Sequence, residues 1–173
     1  MRHAKSSHGD PGLSDHQRPL NSRGRRDSPR MARWLSDQGY EPEIVLCSTS
    51  QRTRETLQLM LDQFSGEPEI RYYDSLYLSA PESILWTISS EHGGHSRVLV
   101  LGHNPGMSMV SSVLSRQALQ MPTAAAAVLG LPAEPPAHET PSHWLDDLSQ
   151  QTPLQLAAYM YPKGLDSHGE VAS

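Results

Sequence analysis

Apolar positions along this chain fall into alternating helix-like and strand-like blocks. In "NSRGRRDSPRMARWLSDQGY", Met31, Trp34 and Leu35 recur at helical spacing and Gly39 supplies a stop. Pro29 inside that block predicts a kink or a division. "EIVLCS" reads as a short buried strand. "SQRTRETLQLMLDQF" follows as a helix whose apolar face runs through Thr56, Leu57, Met60, Leu61 and Phe64. A second strand lies within "EIRYYDSL", and "PESILWTISSEH" is a helix opened by Pro81. "RVLVLG" is a continuous apolar run, as in a strand covered on both faces. "GMSMVSSVLSRQ" is helical, and "AAAAVLGL" reads as a strand although alanine propensity favours a helix. Toward the end, "HWLDDLSQ" is expected as a last strand, "TPLQLAAYM" as a short helix, and the tail from Lys163 as mobile. Residues 4–21 are expected as a loop, and a proline-rich loop at about 132–142 interrupts the pattern. Alternating strands and helices predict an α/β fold with a sheet covered on both faces.

Composition narrows this picture. The 173 residues suit one domain spanning about 1–165 followed by a tail. A hydrophobic content of 36% with 14 prolines predicts long loops and polar ends. A net charge of −5 does not suggest nucleic-acid binding. The charge is uneven, however. Arg18, Arg23, Arg25, Arg26, Arg30 and Arg33 face only Asp27 in their stretch, a pattern that suits an anionic ligand as well as a solvated helix face. The single cysteine, Cys47, excludes an internal disulfide and reads as a buried strand thiol. No apolar run approaches the roughly 18 residues of a membrane span, so the expectation is a cytoplasmic domain with no membrane partner.

Candidate chemistry gathers at two strand-to-helix junctions, "CSTSQRTRET" and "LGHNPGMS". In α/β sheets, ligands bind at the carboxyl ends of strands. The first junction offers Ser48, Arg52 and Arg54, and the second His103 and Asn104. A cation in a first helical turn opposes the helix dipole, so Arg52 is easier to understand beside an anion. The plainer alternatives are a solvated helical turn for "QRTRET" and a helix-capping role for His103. The opening "MRHAKS" adds Arg2 and His3, which taken alone would read as a solvated tail. Together the four residues make a coherent set, because an imidazole can attack phosphorus and arginines bind phosphoryl oxygens bidentately. The remaining histidines (His8, His16, His92, His95, His138, His143 and His168) lack metal-ligand spacing, and Tyr72, Tyr73 and Tyr77 read as core and pocket wall.

In order along the chain, "RHAKS", "RPLNSRG", "CSTSQRTRET", "DSLYLSAPESIL", "VLGHNPG" and "MPTAA" resemble the histidine phosphatase superfamily, and most closely its small SixA-like phosphohistidine phosphatase branch. The resemblance implies a three-layer α/β/α sandwich of the phosphoglycerate mutase-like kind with a mostly parallel central sheet. It implies His3 as nucleophile, with Arg2, Arg52 and His103 completing the phosphate pocket. Arg18 and Asn104 would help to bind substrate, and no metal or other cofactor is implied. The implied activity is a metal-independent phosphatase working through a phosphohistidine intermediate. Its substrate would be phosphohistidine on a protein, such as a phosphotransfer domain. Phosphoserine or phosphothreonine proteins, small phosphate esters, and a phosphate-binding module of low activity stand as alternatives. Larger relatives use a carboxylic acid to protonate the leaving group. Asp74 and Glu82 lie in the matching region without fitting that motif. Relatives also carry a short apolar strand ending at the Arg-His pair, whereas only Met1 precedes it here. The expectation is therefore a sheet whose first strand is missing and a natural start upstream of Met1.

Overall fold

The computed structural model describes residues 1–132 and 144–168, without the His168 side chain. Most of the expected 132–142 loop lies outside them. Three strands, β1 (Ile44–Ser48), β2 (Glu69–Tyr73) and β3 (Val98–Leu101), form a parallel sheet in the order β2-β1-β3. Helices connect them: α1 (Ser22–Asp37), α2 (Gln51–Leu61), α3 (Pro81–Glu91) and α4 (Gly106–Ser115). An antiparallel pair, β4 (Ala126–Gly130) and β5 (Gln155–Met160), and a closing helix, α5 (Pro162–His168), complete the described elements.

The layers follow from strand periodicity. All five β1 residues are buried. Successive side chains point to opposite faces. Val45 and Cys47 pack with Met31, Leu35, Leu57 and Met60 of α1 and α2. Ile44 and Leu46 pack with Ile84, Leu85, Val110 and Leu114 of α3 and α4. This is the expected three-layer α/β/α arrangement. Gly24 lets α1 approach the start of the chain, because a Cβ there would lie 2.2 Å from the Lys5 carbonyl oxygen.

The amino-terminal residues occupy the place where the first strand was expected to be missing. The Met1 nitrogen donates to the Val100 carbonyl (2.7 Å), Gly102 N–H to Met1, and His3 N–H to Gly102. On the other side, Arg2 N–H donates to Ala125 and Ala124 N–H to His3. Residues 1–3 thus tie β3 to the start of β4, pairing in parallel at Arg2 and Gly102. An apolar cavity of about 220 Å³ is bordered by Met1, Val98, Val100, Ile84, Ala127, Leu129 and Leu145.

Three sequence expectations need correction, and a fourth is narrowed: of the kink or division expected at Pro29, the division does not occur, since α1 runs from Ser22 to Asp37. One lost helical bond costs less than the burial of Met31, Ala32 and Leu35 returns. "HWLDDLSQ" is not a strand. Over the described residues it is a turn that buries Leu145 and Leu148, three positions apart. "TPLQLAAYM" is not a helix, since Gln155–Met160 is a strand paired with β4. The tail expected to be mobile from Lys163 is helical through His168.

Candidate active site

The pocket forms where β1 and β3 end. Ser48 closes β1, Ser50 caps α2 by accepting from Thr53 N–H, and Arg52 falls in the first turn of α2. Gly102, His103 and Asn104 follow β3 and lead into α4. The segment carrying Arg2 and His3 lies alongside. A pocket of about 280 Å³ is lined by Arg2, His3, Lys5, Ser6, His8, Asp15, Arg18, Arg52, Leu78, His103, Asn104 and Thr123. All six residues singled out from sequence therefore border one hollow.

Hydrogen bonds set the protonation of both histidines. His3 Nδ1 lies 2.7 Å from the Ala4 carbonyl oxygen, which requires the proton on Nδ1. Its Nε2 is left with a lone pair, and Arg52 Nε–H donates to it at 3.3 Å. His103 Nδ1 accepts from Arg52 Nη2 (3.1 Å), so its Nε2 carries the proton and donates to Ser48 Oγ (2.9 Å). The two ring centroids are 5.0 Å apart. Burial, then the charges of Arg52, Arg2 and Arg18, push His3 down to about 3 against the bond to Ala4. Burial, His3 and Arg52 likewise push His103 down to about 3. Both rings are neutral at physiological pH.

The arginines are held in different ways. Arg2 Nη1 donates to the Met121 carbonyl (2.9 Å), while its buried Nε has no partner among the described residues. A buried donor without an acceptor is costly and marks a place for an acceptor from outside. Arg52, 3% exposed, donates through Nη1 to the Asp15 carbonyl (2.5 Å) and through Nη2 to the Asp15 carboxylate (2.9 Å). Arg18 donates to Ser7 O, Ser6 Oγ and the Asp15 carboxylate. Asn104 borders the pocket, but its amide is committed to Met121 O and to Ser108. Arg54 points elsewhere, over the Tyr72 ring.

Two neighbours were not picked out as functional from sequence. Asp15 brings the pocket's only carboxylate among the described residues. It takes hydrogen bonds from Tyr77 O–H (2.6 Å), Arg18 and Arg52, which hold it far below the usual carboxylate range. Its signal in sequence was a position three residues before Arg18 in "SDHQRPL". Tyr77, read as pocket wall, stands edge-on to His103 with centroids 5.3 Å apart. Asp74 and Glu82 lie outside the pocket lining, bonded to Thr49 and Gln150.

The arrangement offers a neutral imidazole whose Nε2 lone pair faces the pocket and meets only the long bond from Arg52, with further guanidinium donors and a second imidazole around it. Such a site can accept a phosphoryl group and stabilise the charge that develops during its transfer.

Comparison with known proteins agrees with this chemistry. Residues 1–76 match the family model of the histidine phosphatase superfamily, branch 1. The chain is 36% identical over 138 residues to an uncharacterised chloroplastic protein of Arabidopsis thaliana, a match covering 75% of this chain and 63% of that protein. It is 34% identical to an uncharacterised protein of Mycobacterium leprae, covering 76% of this chain and 87% of that one. Among solved structures it is similar to a protein of Agrobacterium tumefaciens assigned as a phosphohistidine phosphatase SixA. That similarity has a TM-score of 0.75 and 26% identity, over 94% of this chain and 95% of the other. A SixA assignment from Nakamurella gives 0.74 and 27%, over 94% and 93%. No helix among the described residues is long and apolar enough to cross a membrane. Together the fold, the site and these similarities show that the chain belongs to the histidine phosphatase superfamily, in its SixA-like branch, and is a phosphatase hydrolase.

Proposed function

We propose that the protein removes phosphoryl groups from phosphohistidine on a protein, through a phosphohistidine intermediate on His3 and without a metal. The observation that carries this reading is the pairing of His3 with a pocket that has no proton donor of the carboxylic type. His3 Nδ1–H is fixed on Ala4 O, so Nε2 is the attacking nitrogen. Attack forms a bond from Nε2 to phosphorus and breaks the bond to the leaving nitrogen. Arg2, Arg52 and His103 would bind the phosphoryl oxygens, a reading supported by their sharing one pocket with His3 and by the unpartnered Arg2 Nε, and Arg18 would border the approach. A bound dianion favours a protonated His103, which then donates through Nδ1.

Asp15 is held as an anion and cannot protonate an alkoxide leaving group at neutral pH. An imidazole leaving group does not need it, because its second nitrogen can already carry the proton. Water then attacks the phosphoenzyme, the bond between Nε2 and phosphorus breaks, and inorganic phosphate and neutral His3 are restored. The SixA assignments of the Agrobacterium and Nakamurella proteins support the same substrate class.

The test is phosphate release from a phosphohistidine-bearing phosphotransfer domain, with chelator present and His3→Ala in parallel. Release that His3→Ala loses, with an acid-labile and base-stable phosphoenzyme trapped in the wild type, is expected. Equal rates on a phosphoserine peptide or a small ester would replace the substrate assignment. Phosphate binding without release would reduce the protein to a phosphate-binding module.

A further inference from the structure

The Asp15 carboxylate lies on the donors that a phosphoryl group would use. It accepts from Arg52 Nη2 at 2.9 Å, Arg18 Nη1 at 2.6 Å and Tyr77 O–H at 2.6 Å, all at the mouth of the pocket. No other carboxylate among the described residues borders that pocket. The segment that brings it there is a strap. Its base is closed by Ser7 N–H to Pro19 O (2.8 Å) and by the pairing of Ser6 with Leu20. Residues 8–15 are exposed, so little burial holds the strap down. Apart from Arg52, it is pinned at the tip by Tyr77 and by His16, whose Nε2 lies 3.1 Å from Thr49 Oγ1. A half-exposed carboxylate on a short tether is a weak ligand that an incoming anion can replace.

We propose that Asp15 is a built-in competitor for the phosphoryl site and sets its specificity against free phosphate and small phosphate esters. This rests on the reading that the pocket receives a phosphoryl group. Two negative groups cannot share Arg18 and Arg52 at full strength, so binding a phosphoryl dianion requires Asp15 to leave. A ligand that brings only a phosphoryl group bears the whole cost of that exchange. A phosphorylated protein surface recovers part of it by contacts with the displaced strap. The same carboxylate returns to the arginines after hydrolysis and helps to expel inorganic phosphate. In population terms, the latched state is dominant and lowers the apparent affinity by the fraction of protein that is open.

The experiment is titration of inorganic phosphate into wild type, Asp15→Asn and Tyr77→Phe, followed by the histidine ring signals in NMR and by calorimetry. Turnover of para-nitrophenyl phosphate and of a phosphohistidine protein is measured alongside. Asp15→Asn keeps the shape and an acceptor but loses the charge, so phosphate should bind roughly three- to tenfold more tightly. Tyr77→Phe removes one bond to the carboxylate and should shift affinity in the same direction by less. The ratio of kcat/KM for the small ester to that for the protein should rise in Asp15→Asn. Unchanged or weaker phosphate binding in both variants overturns the proposal. Phosphate binding needs no turnover. A shift without any hydrolysis would therefore fail the phosphatase reading alone, and hydrolysis without a shift would fail the competitor alone.

Discussion

Residues 1–3 separate two hollows of similar size and opposite chemistry. On one side, Arg2, His3 and the junctions after β1 and β3 line a pocket of about 280 Å³. On the other, Met1, Val98, Val100 and Leu129 border a cavity of about 220 Å³ lined mainly by apolar side chains, with Ser96, Arg97 and Ser111 at its margin. The backbone that divides them is the same, tied by hydrogen bonds to Val100 and Gly102 on one flank and to residues 124 and 125 on the other. The polar hollow concentrates unmet demand. It holds a buried guanidinium nitrogen without a partner among the described residues, and two imidazoles kept neutral by burial and neighbouring positive charge. The apolar hollow has one buried ionisable neighbour, the Met1 amine, which burial pushes down to about 5 and which donates to Val100, and it otherwise acts on stability through packing. Catalysis and stability should therefore respond to different substitutions on either side of the dividing segment.

The largest separation is expected at His3. His3→Ala should lower turnover on the order of 10⁴-fold or more, as for removal of a nucleophile that acts as a unit with its partners. Thermal stability should hold or rise, because a buried polar ring amid positive charge is removed. A large loss of Tm would show that the ring is part of the packing, and would break the distinction between the two hollows. Arg52→Lys comes next. A lysine keeps the charge but loses the planar fork that reaches His3, His103 and Asp15 together. A loss of about 10²–10³ in kcat is expected, measured in single-turnover formation of the phosphoenzyme. Retention of most of the rate would mean that positive charge, and not donor geometry, carries the site.

Acid should distinguish the hollows next. The folded values of His3 and His103 are about 3, below the ordinary 6.5, so between these limits the unfolded chain binds more protons. Their contribution to stability is present above pH 6.5 and is lost as pH falls toward 3. Tm should therefore drop steadily with acid over that window, and the drop should be shallower in His3→Ala. Equal slopes in the two proteins would show that His3 does not resist protonation in the fold. The attacking nitrogen should also remain unprotonated well below pH 6.5, so kcat/KM should not fall with an ordinary histidine ionisation.

The site was more legible in sequence than the periphery of the fold, and the reason is local. Arg52 and His103 lie within a few residues of a strand end, so a strand-to-helix junction alone predicts where they meet. Arg2 and His3 join them because their backbone continues the sheet beside β3. Asp15 escaped notice because it arrives on a strap whose course depends on distant partners, Tyr77 and Thr49 among them. The errors at the end of the chain have a different origin. Gln155–Met160, expected as a helix, takes its conformation from pairing with β4, which local sequence does not reveal. Leu145 and Leu148 carry turn spacing rather than strand alternation, and their burial with α3 and α4 follows that spacing.

The smallest expected effect tests the apolar side. Ala127 on β4 borders the cavity, and valine there adds two methyl groups to a strand position, where β-branched residues are favoured. Ala127→Val should stabilise by about 0.5–1 kcal/mol, a cavity-filling gain, seen as a rise in Tm and in the urea midpoint at constant m. Phosphoenzyme formation should be unchanged, since Met1 and its hydrogen bonds to Val100 and Gly102 lie between the new methyl groups and His3. A gain in stability accompanied by slower chemistry would mean that the dividing segment transmits packing strain from one hollow to the other. The position of His3 would then depend on how the apolar cavity is filled. Slower chemistry with no gain in Tm would place Ala127 in a tightly packed part of the wall, where added volume forces β4 out of position.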